Sequence, residues 1–168
     1  MSRAMGSHHR PNEGATNTWL TPPEIVKALG PFDLDPCAAI GQPWPTAAAH
    51  YTERENGLAQ TWSGRVWLNP PYGPHVWAWL DRLAQHGDGI ALVFARTETV
   101  GFQRAIRSAD AVLFLAGRLH FYRPNGVRAE ANAGAPSCFI AYGERNVQAL
   151  WTSGLPGFIA ELQVLGAA

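Results

Sequence analysis

Ile90-Ala91-Leu92-Val93-Phe94 is an unbroken apolar run of strand length, and no other stretch restricts the fold so tightly. A strand without polar alternation must be covered on both faces, which calls for a sheet sandwiched between helices. Ala111–Leu115 and Ser137–Tyr142 repeat the pattern. Helical spacing appears between these runs. Val76, Trp79, Leu80 and Leu83 fall on one face of a helix over 76–85, and 99–108 reads as another. Earlier, Thr21-Pro22-Pro23-Glu24 leads into Ile25-Val26-Lys27-Ala28-Leu29-Gly30. This predicts a helix with Thr21 as N-cap, Pro22 in the first position, Glu24 at the capping-box position and Gly30 just past the end. Phe32-Asp33-Leu34-Asp35, stopped by Pro36, reads as a strand, as does 64–68. Residues 119–122 either extend the strand before Gly117 or begin a hairpin, and a helical segment starts at Asn146. Strands alternating with helices define an α/β sheet, mostly parallel.

The length of 168 residues suits one domain with a substantial core, here expected over 15–168 behind a mobile arm at 1–14. No apolar run approaches the roughly 20 residues of a membrane helix, and the N-terminus lacks a secretory h-region. Cys37 and Cys138, far apart and without metal-like spacing, read as free thiols of a reducing, cytoplasmic compartment. The formal net charge is zero, which argues against a strong, sequence-blind polyanion binder. The charge is nonetheless uneven. Arg96, Arg104, Arg107, Arg118, Arg123 and Arg128 face only Glu98 and Asp110 in that span, and Lys27 is the sole lysine. Guanidinium forks suit phosphate and base edges, although a solvated face of mixed charges has the same composition.

Two motifs stand where predicted strands end: Asp35-Pro36 and Asn69-Pro70-Pro71-Tyr72. Ligands of open α/β sheets gather at the carboxyl ends of strands. The second motif has a chemistry of its own. An exocyclic amine of a nucleobase is a poor nucleophile because its lone pair is delocalised into the ring. A catalyst must hold its hydrogens so that the nitrogen becomes tetrahedral. That needs acceptors, and no strong base. The Asn69 side-chain carbonyl is one acceptor and the Pro70 backbone carbonyl a second, with both prolines stiffening the turn. Tyr72 offers an aromatic face on which an extruded base can stack, worth roughly 1–3 kcal/mol.

Trp19-Leu20-Thr21-Pro22-Pro23-Glu24, then Phe32-Asp33-Leu34-Asp35-Pro36-Cys37-Ala38, then Val66-Trp67-Leu68-Asn69-Pro70-Pro71-Tyr72-Gly73 follow one another in this order. Taken together, over roughly residues 17–143, the chain resembles the phage-encoded DNA N6-adenine methyltransferases. The resemblance implies a compact Rossmann-like methyltransferase sheet with a shortened cofactor half and a C-terminal antiparallel strand. It also implies S-adenosylmethionine as cofactor, adenine N6 in DNA as acceptor and protection of phage DNA from restriction as the host process. Residues 69–72 match the catalytic motif. Trp19, Thr21, Pro22 and Pro23 match the segment at the cofactor's methionine end. Asp35 matches the acidic residue of the first motif, followed by Pro36, Cys37 and Ala38. The glycine-rich turn usual after that motif is reduced to Cys37-Ala38-Ala39-Ile40-Gly41, and the elements usual before the catalytic motif are compressed into 42–63. Asn56 and Glu55 are the candidates there for the cofactor's adenine.

Arg96, Arg118, Arg123 and His75 are the candidate contacts to DNA, and readout falls to the loop 117–136, with a homodimer as a way to enlarge the footprint. The histidines share no ligand spacing, and no metal is expected. Other acceptors fit the same turn: cytosine N4, an RNA base or a protein glutamine amide. A DNA-binding module that has lost catalysis fits the shortened first motif.

Overall fold

The computed structural model describes residues 18–162; the expected arm at 1–14 lies outside them. A seven-stranded sheet runs in the order β2-β1-β3-β4-β6-β5-β7. Its strands are β1 (Leu34–Asp35), β2 (Ala49–His50), β3 (Val66–Leu68), β4 (Gly89–Phe94), β5 (Ala111–Leu115), β6 (Ser137–Tyr142) and β7 (Gly157–Glu161). Strands β1 to β4 pair in parallel, β6 lies antiparallel between β4 and β5, and β7 lies antiparallel beside β5. The sheet is therefore mostly parallel in strand sense, with β7 adding a second antiparallel strand to the expected one.

Helices α1 (Pro23–Leu29), α2 (Val76–His86), α3 (Val100–Arg107) and α4 (Glu144–Thr152) cover its two faces. The period of two decides which side chain goes where. Ile90 and Leu92 of β4 join Ile25 and Leu29 of α1 and Val147 and Leu150 of α4 in one core. Ala91 and Val93 point the other way, to Leu80 and Leu83 of α2 and Phe102 of α3. The all-apolar run is thus explained by two cores, one on each face.

Helix α1 departs from its expected start. Pro22, with ψ 131°, is its N-cap and makes no side-chain cap bond. A residue before proline is held out of the helical region, so Pro23 prevents Pro22 from being helical and shifts the start by one. Thr21 is then one position too early to cap. The helix expected over 99–108 is α3, with Thr99 as its N-cap, and the Thr99 side chain accepts from the Phe102 N–H. Thr99→Ala should cost about 1 kcal/mol of folding stability, measurable by urea denaturation.

Residues 119–122 take the hairpin alternative, since Tyr122 bridges both Leu20 and Arg128 in antiparallel fashion. Residues 38–62, an irregular stretch without a clean sequence period, hold the two-residue β2 and a 3-10 turn at Gly57–Ala59. Gly57 is required there, because a Cβ at this position would stand 1.8 Å from the Pro36 carbonyl oxygen.

Candidate active site

The connection from β1 leads to β2 on one side of the sheet, whereas the chain re-enters on the other side as β3. The crevice between the carboxyl ends of β1 and β3 is therefore the topological switch point, where such sheets bind ligands. Asp35 closes β1 and Asn69 follows β3, so the two sequence motifs form its opposite walls. A cavity of about 390 Å³ lies there, within the range of small-molecule sites.

Ten residues singled out in the sequence line this cavity: Trp19, Thr21, Asp35, Pro36, Cys37, Ala38, Asn69, Pro70, Pro71 and Tyr72. Asn56 lines it too, and Glu55 does not. The Glu55 carboxylate instead accepts from the backbone N–H and the hydroxyl of Thr52. Pro22 and Pro23 also stand outside the lining; Pro22 is buried as the α1 cap and Pro23 is exposed. His75, at the start of α2, and Arg96, Arg118 and Arg123 are exposed residues outside the cavity. One arm of Arg118 donates to the Ala133 carbonyl at 3.1 Å.

Asp35 is buried. Its Oδ1 accepts from the Cys37 N–H at 3.0 Å, and its Oδ2 accepts a short hydrogen bond from the Thr46 hydroxyl. Burial pushes its pKa up to about 6, against the lowering effect of those two bonds. The charge of His50 also favours the ionised form, without offsetting the burial.

Asn69 is held from its donor end. Its Nδ2 donates to the Trp19 carbonyl at 3.0 Å. That bond fixes which end of the amide is oxygen, and Oδ1 is buried with no partner among the described residues. The Thr21 and Tyr72 hydroxyls, both on cavity-lining residues, are likewise buried and unpartnered. Buried polar atoms without partners are uncommon, and three of them belong to residues that line this cavity. The Tyr72 ring stacks on Phe94, with centroids 4.4 Å apart and planes at 20°, and meets the edge of Phe121 at 6.3 Å. One face of the ring is therefore covered by Phe94, which leaves less of it for a base than the sequence suggested.

Thr46, Gln42, Trp44, Thr52, Glu53 and Pro124 line the cavity without having been singled out. Most belong to the irregular stretch, whose sequence carries no period. Trp79, read as a packing residue of α2, is buried and also reaches the cavity lining. Among the described residues no three His, Cys, Asp or Glu side chains converge as metal donors, and no helix is long and apolar enough to cross a membrane.

A seven-stranded mixed sheet with its crevice at the switch point is a Rossmann-like methyltransferase fold. The model of the family described as DNA N-6-adenine-methyltransferase (Dam) matches residues 8–151, and the chain belongs to that family. The family supports adenine N6 methylation of DNA in general. No curated protein and no solved structure matches the chain.

Proposed function

We propose that the protein transfers a methyl group from S-adenosylmethionine to N6 of adenine in DNA, with the β1–β3 crevice as the reaction site. The observation that carries this reading is the buried, unpartnered Asn69 Oδ1, oriented by the bond from its own Nδ2. When bound, the cofactor supplies an electrophilic methyl group on a sulfonium centre.

The residues present fit such a group. Asp35, a buried carboxylate on the cavity lining, is a natural partner for the cofactor's ammonium, and the buried Thr21 hydroxyl belongs to a residue that lines the same cavity. Glu53 and Asn56 line the cavity and have the polarity to meet the cofactor's adenosine. Asn69 Oδ1 and the Pro70 carbonyl accept the two amine hydrogens of adenine, drawing the nitrogen lone pair out of ring conjugation. The alkylated amine is acidic enough to give up a proton without a strong base. Water is kept from the acceptor atoms by the buried Pro70 and Trp67 beside them.

Tyr72 contributes its ring rather than its hydroxyl. Tyr72→Phe should therefore retain transfer and leave folding stability unchanged or raised by up to about 1 kcal/mol, because the lost hydroxyl has no partner. Transfer rates and urea denaturation of the same sample check both halves.

Arg96, Arg118 and Arg123 supply phosphate contacts, with the exposed Asn125, Arg128 and Asn132 nearby for readout. Arg123→Ala should weaken DNA binding about equally across sequences. It should also reduce the slope of log affinity against log salt by about one. So small a reading surface suits a short recognition site or a pair of copies acting together, in a role such as protecting phage DNA from restriction.

The test is incubation of unmethylated DNA with isotopically labelled cofactor, followed by mass analysis of the nucleosides. N6-methyladenine is expected. Label in N4-methylcytosine, in RNA or in a glutamine amide would contradict the assigned acceptor.

A further inference from the structure

The walls of the crevice are scarcely tied to each other by the sheet. Strands β1 and β3 share a single register pair, Leu34 with Val66, and the ladder ends there. Beyond it Asp35 and Asn69 go to opposite walls. Cys37 spans the gap. Its N–H donates to Asp35 Oδ1 at 3.0 Å, and its thiol donates to the Asn69 backbone carbonyl at 3.3 Å, across 32 residues of chain. Asn69 is thus held at two points, by its side-chain amide on Trp19 and by its carbonyl on Cys37.

We infer that Cys37 is a positioning residue, whose thiol sets the distance and angle between the cofactor wall and the Asn69 acceptor. This rests on the reading of Asn69 as the acceptor for the substrate amine. The thiol, although a weak donor, keeps the proton for this bond. Burial and the neighbouring Asp35 carboxylate push its pKa well above the ordinary 9.0, so it stays protonated at neutral pH. The same shift makes it a poor nucleophile, which separates this role from covalent catalysis. A group that aligns two reactants acts on the transfer step, and a misplacement of about 1 Å there can cost on the order of a hundredfold.

The experiment compares wild type with Cys37→Ala, Cys37→Val and Cys37→Ser. Single-turnover methylation is measured at saturating cofactor and DNA, cofactor affinity by calorimetry, and folding by thermal midpoint. Val fills the thiol's space without a donor, so it stands in for Ala should Ala fail to fold. Cys37→Val and Cys37→Ala should slow the single-turnover step by about ten- to a hundredfold, with the cofactor dissociation constant within about threefold of wild type. Cys37→Ser, which restores a donor, should recover most of the rate. A folded Val or Ala variant at wild-type rate overturns the inference. So does a loss confined to cofactor affinity, or a Ser variant no faster than Val. Wild type that forms no N6-methyladenine overturns the reading of the site itself, and this inference with it.

Discussion

Asn69→Ala should lower the rate of methyl transfer by about a hundred- to a thousandfold while leaving the protein folded and able to bind cofactor. The size follows from the environment. A single preorganised polar group at the reacting centre is worth on the order of a hundred- to a thousandfold in a site shielded from water, and here the same side chain is the only one given an amide oxygen at the acceptor position. The stability half is less intuitive. Alanine removes the Nδ2 bond to Trp19, but it also removes a buried carbonyl with no partner among the described residues. The two effects oppose each other, each worth on the order of 1 kcal/mol, so the thermal midpoint should barely move. Single-turnover assays, calorimetry and a thermal melt on one preparation give all three readings. Full activity in the variant would remove the Asn69-Pro70-Pro71-Tyr72 turn from the mechanism.

Asp35→Asn should weaken cofactor binding by about ten- to a hundredfold at pH 8, and should stabilise the cofactor-free protein at that pH. The cause is a carboxyl pushed by burial from its ordinary 3.8 up to about 6. A raised carboxyl pKa means that folding favours the protonated form. The penalty is absent below about pH 4, grows through pH 6 and is complete above it, where it is on the order of 3 kcal/mol. Stability of the free protein therefore falls, on this group's account, as pH rises across that window. Asparagine removes the charge and retains an acceptor for Cys37 N–H. Its thermal midpoint should exceed wild type at pH 8 and match it near pH 4. Cofactor binding follows the opposite trend. A cation needs the ionised form, so wild-type affinity should weaken about tenfold for each pH unit below 6, and the Asn variant should lose that dependence. Unchanged affinity in Asp35→Asn at pH 8 would detach Asp35 from the cofactor.

Strands β4, β5 and β6 were legible because their apolar runs are of strand length and are covered from both faces over most of that length. Strands of two residues, β1 and β2, leave no such trace, and exposed β7 shows no alternation to read. Thr21 illustrates a local rule overridden by its neighbour. The Ser/Thr-x-x-Glu pattern is present, yet Pro22-Pro23 delays the helix, and the hydroxyl that should cap it is instead buried without a partner among the described residues. At the site the motif residues announced themselves, since their chemistry is tied to residue type. Thr46, which shares the Asp35 carboxylate, did not, because the path that brings it across eleven residues has no periodic signature. Tyr72 lay between these cases: its presence at the site was readable, and its stacking on Phe94 was not.

Expression of wild type and Asn69→Ala in a bacterial host without adenine methylation, followed by sequencing that detects modified bases, tests the central claim most directly. N6-methyladenine at a short, recurrent site in the wild-type sample and none in the variant is the expected result. Genomic DNA without modified adenine in the wild-type sample, or modification that persists with Asn69→Ala, would contradict it.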